Sequence, residues 1–253
     1  MGSIGVPPVR TGETPMLPEM ECRCFAEEST VTRRELAAMI DHTVLKPETT
    51  QKQIDALCDE CLEFGFFCAC VQPVWVEHCV RRLAGSRVCV ASVAGFPHGA
   101  SLPQAKALEA RLAVEQGARE VDMVVHVGDL VAIRKDTVVR DIAGVVQAAK
   151  RVNPDALVKV ILETAALSDE QIILGCRCVA EAQADFVKTS TGFHPAGGAS
   201  AAHVALLHKH AAPIKVKASG GIRDLPTAQA MIAAGASRLG LSASVAVVRS
   251  LQV

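Results

Sequence analysis

Residues 184–193 have the sequence Ala184-Asp185-Phe186-Val187-Lys188-Thr189-Ser190-Thr191-Gly192-Phe193. Alternate residues of an extended strand share a face, and this pattern places Lys188 in the middle of a strand. Removing a lysine ammonium from water is costly unless a partner compensates, and the buried amine often loses its proton instead. The stretch therefore indicates either a chemically active buried lysine or a strand-end lysine that extends to solvent or pairs with a carboxylate.

Charged residues interrupt two other apolar stretches in the same way. Residues 213–223 place Lys217 near the end of a short strand that runs into a pair of glycines, and residues 120–125 place Asp122 inside a strand. Two lysines and an aspartate on strands favour one shared pocket.

The chain alternates between strand and helix patterns along its length. Eight strands are predicted, at residues 39–43, 66–71, 88–93, 120–125, 157–162, 185–190, 214–218 and 237–241. Helical patterns separate them, with cap signals at Thr32, at Thr49 or Thr50, at Gly65, and in the capping box that begins at Ser168. Strict alternation favours a closed (β/α)8 barrel, the TIM barrel, over an open doubly wound sheet. No dinucleotide-binding glycine motif follows the first strand, which also weakens the open-sheet alternative.

Composition indicates one large domain with a substantial core. The chain has 253 residues, of which 50% are hydrophobic, and a formal net charge of −1. Residues 1–30 mix Gly, Pro, Thr and Glu without periodicity, so we expect a flexible N-terminal extension before a barrel domain at 31–253. The absence of a basic block argues against nucleic acid as a partner, and no apolar run approaches the roughly 20 residues of a membrane helix.

The sequence contains 10 cysteines, several of them in close pairs. A zinc site needs four converging ligands, and the pair Cys58 and Cys61 lies in a helical pattern with no second such pair nearby. Small buried hydrophobic residues are the simpler interpretation. No signal-peptide core is recognisable, so we expect reduced thiols, no metal and a cytoplasmic protein.

The C-terminal ends of barrel strands form the active site of such folds. The predicted strands place six polar residues there, and we expect them to converge on one mouth: Asp41, Cys70, Asp122, Glu163, Lys188 and Lys217. A lysine at its ordinary pKa is a poor nucleophile, but a neighbouring cation in a partly desolvated site lowers that pKa. The amine of one lysine can then attack a carbonyl and form an iminium, and Asp122 is a candidate to move protons. The pattern leaves open which lysine is the nucleophile.

Glycines after the last two strands indicate a phosphate site. Gly220 and Gly221 follow the seventh strand, whereas Gly240 and Ser242 lie at the eighth, where these barrels commonly bind phosphate through backbone N–H groups. Arg223 adds a positive charge. An ordinary tight turn remains the alternative for the glycine pair alone.

In these residues the chain resembles the deoxyribose-phosphate aldolases, class I aldolases on a (β/α)8 barrel. The similar stretches occur in order from about residue 36 to about residue 245, at residues 40–47, 95–99, 120–124, 159–164, 186–193 and 216–223. The resemblance implies reversible cleavage of 2-deoxy-D-ribose 5-phosphate to D-glyceraldehyde 3-phosphate and acetaldehyde. It also implies that no cofactor is needed and that the protein forms a homo-oligomer, either a dimer or a tetramer.

The resemblance also implies a role for each matching residue. Lys188 would form the Schiff base, Lys217 would lower its pKa and relay protons, and Asp122 would donate and accept protons. Asp41 would contact the substrate or its neighbouring lysine. The phosphate would be held by Gly192, Gly220, Gly221, Arg223, Gly240 and Ser242.

The chain departs from the family pattern at three places. It contains no tyrosine, whereas some members use one near the C-terminus in proton transfer. Phe193 occupies a position that is basic in some members, and Ala243 replaces a second serine. Two alternatives therefore stay open: another Schiff-base aldolase of a phosphorylated sugar, or a barrel that binds a sugar phosphate without catalysis.

Overall fold

The computed structural model describes residues 1–2 and 31–251. Parallel strands close into a barrel in sequence order, with β8 returning to β1. The strands are β1 (Ile40–Val44), β2 (Cys68–Val71), β3 (Cys89–Ala94), β4 (Glu120–Val124), β5 (Leu157–Ile161), β6 (Phe186–Lys188), β7 (Lys215–Ser219) and β8 (Arg238–Leu241). The predicted (β/α)8 architecture is confirmed. The predicted flexible extension lies almost wholly outside the described residues.

Helices connect and precede the strands. They are α1 (Arg33–Ala37), α2 (Gln51–Phe64), α3 (Val76–Arg82), α4 (Pro103–Glu115), α5 (Val127–Val131), α6 (Lys135–Val152), α7 (Asp169–Glu181), α8 (Ala201–Ala211), α9 (Leu225–Ala233) and α10 (Ser244–Arg249). The predicted caps hold: Thr32, Thr50 and Ser168 begin helices with capping boxes. Gly65 ends α2 with a φ of 68°, a conformation that glycine adopts without steric cost.

The elements differ from the prediction at several boundaries, and one short helix was not predicted. The sixth strand, predicted at residues 185–190, is Phe186–Lys188. Beyond it, the backbone N–H of Thr189 still donates to the carbonyl of Lys217, whereas that of Thr191 donates to the carboxylate of Glu163. The short helix α5 was not predicted, since five residues are too few to show a helical period. At its start, the backbone N–H of Asp129 donates to the backbone carbonyl of His126, and His126 Nδ1 lies 3.0 Å from Asp129 Oδ2.

The strand register brings charged residues side by side. Lys188 pairs with Lys217 across β6 and β7, and Lys217 pairs in turn with Arg238 of β8. Asp122 of β4 pairs with Lys159 of β5. Paired residues of neighbouring parallel strands point to the same side of a sheet, and all five of these side chains point into the barrel. Ion pairs therefore fill one part of the barrel interior, where many barrels place branched aliphatic side chains. A smaller apolar cluster on β2 and β3, which includes Cys70, Ala91 and Val93, fills another part.

The apolar core lies between the strands and the surrounding helices. The eight described cysteines are buried free thiols, which agrees with the expectation of small buried hydrophobes. Cys22 and Cys24 lie outside the described residues. Across residues 1–2 and 31–251, no helix has both the length and the apolar character needed to cross a membrane.

Candidate active site

A cavity of about 460 Å³ opens at the C-terminal ends of the strands. Lys188 lines it, together with all the residues predicted to hold a phosphate: Gly192, Gly220, Gly221, Arg223, Gly240 and Ser242. Lys46, which the sequence reading did not single out, lies in the wall as a second cation. A second cavity of about 490 Å³ lies at the opposite end of the barrel, where Glu120 and Phe67 line it. The predicted chemistry belongs to the first cavity, because the lysine and the glycine loops meet there.

Asp122 is the centre of the buried ion pairs below this cavity. Its Oδ2 accepts hydrogen bonds from Lys188 Nζ at 2.6 Å and from Lys217 Nζ at 2.7 Å. Its Oδ1 accepts one from Lys159 Nζ at 2.7 Å. Asp122, Lys159 and Lys217 are fully buried, whereas Lys188 is 3% exposed. Among the described residues, Lys188 is the one lysine of this group that reaches the cavity.

Asp41 lies on the far side of Lys217 from the cavity. One carboxylate oxygen accepts a hydrogen bond from Lys217, and the other accepts one of 2.7 Å from Nη1 of Arg238. Asp41 is fully buried and does not line the cavity. Of the two roles that the resemblance allowed, the structure therefore supports contact with a neighbouring lysine.

Three members of the network were missed by the sequence reading. Lys159 contacts Glu120 at 2.5 Å as well as Asp122, and Arg238 Nη1 lies 3.3 Å from Glu120. A signal was present, since Glu120 and Asp122 are two residues apart and therefore share a strand face. Lys159 interrupts an apolar strand just as Lys188 does.

The pKa of Lys188 lies below its ordinary value. Burial is the largest cause, and the ammonium of Lys217 lowers the pKa further, while the carboxylate of Asp122 opposes both effects. The predicted direction is therefore correct. The predicted cause was incomplete, because it named the neighbouring cation and gave desolvation only a supporting part.

The pKa shifts of Asp122 and Lys217 favour their charged forms. Burial opposes the charge on Asp122, but Lys159, Lys188 and Lys217 outweigh it and place the pKa of Asp122 well below the ordinary range. Burial likewise opposes the charge on Lys217, but Asp122 and Asp41 raise its pKa above the ordinary value. Lys217 is thus a permanent cation beside Lys188.

The charges of this network do not balance when every group is ionised. Its contacts join three carboxylates and four cations: Asp41, Glu120 and Asp122 with Lys159, Lys188, Lys217 and Arg238. Loss of one proton from one lysine gives three charges of each sign. Lys188 is the lysine whose pKa is lowered, whereas the pKa values of Lys159 and Lys217 are raised. A low-dielectric interior favours the balanced state.

Two residues predicted at the mouth behave differently from the network. Glu163 follows β5 with a φ of 62° and accepts hydrogen bonds from the N–H and hydroxyl groups of Thr191. It holds the loop after β6 and contacts none of the network lysines within residues 31–251. Cys70 is buried in β2, and burial raises the pKa of its thiol to about 11.

The loops that carry the glycines predicted to bind phosphate approach one another closely. A Cβ atom on Gly220 would lie 3.2 Å from the Cα atoms of both Gly192 and Gly198, and the φ of Gly220 is 88°. A side chain at this position would force the two loops apart. At the rim, the ring of Phe193 packs edge-on against Phe96 with 5.2 Å between centroids.

A group of metal-type donors lies at the end of the barrel where the strands begin. The side-chain donors of Cys68, Cys89 and Glu120 all lie within 4.8 Å of one another. Burial raises the pKa of the Cys68 thiol well above its ordinary value. Glu120 is already bound by Lys159 and Arg238, two cations that oppose a metal ion. We therefore assign this group to packing.

Known proteins are similar to this chain in both sequence and fold. A family model described as DeoC/LacD family aldolase matches residues 36–247. The deoxyribose-phosphate aldolase of Brevibacillus brevis is 52% identical over 210 residues, 83% of this chain and 93% of the relative. That of Lysinibacillus sphaericus is 50% identical over 216 residues, 85% of this chain and 95% of the relative. The tetrameric deoxyribose phosphate aldolase from Aeropyrum pernix is 36% identical with a TM-score of 0.79, covering 87% of this chain and 92% of its own. The chain therefore belongs to the DeoC/LacD family of aldolases.

Proposed function

We propose that this protein cleaves 2-deoxy-D-ribose 5-phosphate reversibly to D-glyceraldehyde 3-phosphate and acetaldehyde through a Schiff base on Lys188. One observation carries the proposal: a lysine with a lowered pKa lines the same cavity as the glycine loops after β6, β7 and β8. The relatives named deoxyribose-phosphate aldolase support the choice of substrate.

The neutral amine of Lys188 attacks the aldehyde carbon C1 of the open-chain sugar, and loss of water gives an iminium. A base removes the proton of the C3 hydroxyl, the C2–C3 bond breaks, and its electrons form an enamine on the lysine while glyceraldehyde 3-phosphate departs. A proton added at C2 restores the iminium. Water then releases acetaldehyde and the free amine.

The neighbours of Lys188 support these steps. Lys217 stays protonated and opposes protonation of Lys188. Asp122 contacts both amines and lies below the cavity, so it exchanges protons with the substrate through a water molecule. Arg223, Ser242 and the backbone N–H groups of Gly220 and Gly221 hold the phosphate.

We further propose that the protein acts in the cytoplasm as a homo-oligomer. The eight described cysteines are free thiols, which fits a reducing compartment. The tetramer named for the relative from Aeropyrum pernix supports assembly.

Borohydride reduction in the presence of acetaldehyde, followed by peptide mass spectrometry, tests the nucleophile. We expect an ethyl group on Lys188, no adduct in Lys188→Ala, and loss of cleavage in that variant. Lys217→Leu should keep the fold, because Asp41 retains Arg238 and Asp122 retains two lysines. It should also lose most activity. An adduct on another lysine in active protein, or unchanged turnover in Lys217→Leu, would refute these roles.

A panel of phosphorylated sugars tests the substrate. Acetaldehyde release from 2-deoxy-D-ribose 5-phosphate should exceed release of any aldehyde or ketone from the other sugars. Preference for a different sugar would indicate another Schiff-base aldolase. Binding without turnover would indicate a sugar-phosphate-binding barrel.

A further inference from the structure

Arg238 is a buried charge that the proposed reaction does not use directly. It lies at the start of β8, at the opposite end of the barrel from the substrate cavity, and is 7% exposed. Its guanidinium carbon lies 3.5 Å from the ring centroid of Phe67 and 5.6 Å from that of Phe186. These rings restrict the guanidinium to the floor of the barrel, which is the end where the strands begin.

The contacts of Arg238 lead to Lys188 through a chain of ion pairs. Arg238 binds one oxygen of Asp41, whose other oxygen is bound by Lys217. Lys217 shares Oδ2 of Asp122 with Lys188. All residues of this series of ion pairs lie within the described range, and Arg238 does not line the substrate cavity.

The charge count of the network shows how Arg238 affects the protonation of Lys188. With Arg238 present, the network has one more cation than it has carboxylates, and release of the Lys188 proton restores the balance. Without Arg238, the same network has three carboxylates and three lysines, and full protonation is then the balanced state. Arg238 therefore controls whether the network favours a neutral or a charged Lys188.

We propose that Arg238 is a positioning residue that fixes Asp41 on Lys217 from the floor of the barrel. It gives the network one cation more than its three carboxylates, so that Lys188, which shares Asp122 with Lys217, is the lysine that gives up its proton. This inference rests on the proposed function, in which neutral Lys188 is the nucleophile. Glu120 has the opposite effect on Lys188, because its negative charge favours a protonated lysine. It is one of the three carboxylates of the network and contacts both Lys159 and Arg238.

The charged and titratable groups around this path are known. Those that act on Lys188 include Asp122 of β4, Lys217 of β7 and Cys70 of β2. Those that act on Arg238 include Asp41 of β1, Glu120 of β4 and Cys68 of β2. The thiols of Cys68 and Cys70 have raised pKa values and stay neutral near pH 7. The carboxylates, the lysine ammonium groups and the guanidinium of Arg238 therefore set the charge balance of the network.

Trace labelling with acetic anhydride measures the titration of Lys188 directly, because only the neutral amine reacts. The acetyl group on Lys188 is quantified by mass spectrometry over a range of pH. Arg238→Met should move the midpoint to higher pH by about one unit, the effect of one charge at roughly 10 Å with an effective dielectric constant near 20. Arg238→Lys keeps the positive charge and should leave the midpoint close to that of the parent protein. Glu120→Gln removes a negative charge and should move the midpoint to lower pH.

Arg87→Met is the matched control, since this exposed arginine lies at the same end of the barrel without an ion pair in the described part of the chain. It should leave the midpoint unchanged. Equal shifts in Arg238→Met and Arg238→Lys, or no shift in a folded Arg238→Met, would overturn the inference. If Arg238→Met does not fold, an unmoved midpoint in Glu120→Gln overturns it. Labelling requires no catalysis, so a failure of the proposed function appears separately, as a missing acetaldehyde adduct on Lys188.

Discussion

At the scale of single residues, Gly240 shows how closely the walls of the site are packed. A Cβ atom at this position would lie 2.9 Å from Cβ of Ser219 and 3.1 Å from Cε of Lys217. Lys217 cannot move aside freely, because Asp41 and Asp122 both bind its ammonium. The absence of a side chain at residue 240 therefore keeps Lys217 within reach of both carboxylates.

Gly240→Ala should displace Lys217 and lower kcat/KM about 10- to 100-fold, the usual result of a small misplacement in an active site. Steady-state cleavage assays measure the effect. Gly144→Ala is a suitable control, because a Cβ at Gly144 in α6 meets nothing within 4 Å. That change should leave kcat/KM unaltered and stabilise the protein by about 0.5–1 kcal/mol. Equal activity in the two variants would contradict the packing argument.

At the scale of secondary structure elements, a buried ion pair joins α4 to α6. Lys106 Nζ lies 2.7 Å from Oδ2 of Asp141 and also donates to the backbone carbonyl of Val124 at 3.0 Å. Both side chains are almost completely buried. The pair therefore ties two helices to the C-terminal end of β4, the strand that carries Asp122.

Lys106→Met should lower the free energy of unfolding by about 3–5 kcal/mol, because it leaves the Asp141 carboxylate buried without its cation. Urea denaturation followed by circular dichroism measures the loss. The double variant Lys106→Met with Asp141→Leu should recover much of it, since no buried charge then remains unpaired. A single variant as stable as the parent protein would show that Asp141 finds another partner or water.

At the scale of the whole molecule, the barrel is closed around a charged interior that depends on pH. Asp41 and Asp122 have pKa values below their ordinary value of 3.8. A carboxyl group with a lowered pKa in the folded state stabilises that state above the ordinary pKa, and this stabilisation is lost as the pH falls towards the folded pKa. The charged interior thus favours the folded barrel at neutral pH and loses that advantage in acid.

The contribution of these carboxylates to the free energy of unfolding should therefore be nearly constant around neutral pH and be lost below a pH of about 4. Asp122→Asn should be less stable at neutral pH by about 3–5 kcal/mol, because Lys159, Lys188 and Lys217 lose their shared carboxylate. Its curve should also be flatter in acid and approach that of the parent protein at the lowest pH. Urea titrations from pH 7 to pH 2 measure both curves, and parallel curves would contradict the assignment of acid sensitivity to Asp122.

The sequence by itself determined the order of the strands, the barrel, the lysines on β6 and β7, and the glycine loops after β7 and β8. These features follow from local periodicity, caps and turns, which nearby residues decide. The sequence also shows Lys159 as a charged residue within an apolar strand, but periodicity alone does not indicate which residues it pairs with.

Only the tertiary structure decided which charges meet. Lys217 and Asp41 are 176 residues apart in the chain, and Arg238 and Asp41 are 197 apart. Closure of the barrel brings them together, places Lys188 alone of the network lysines at the cavity, and turns Asp41 away from it. The pKa of Lys188 depends on the sum of these long-range contacts and on burial, and neither is encoded in any short stretch of residues.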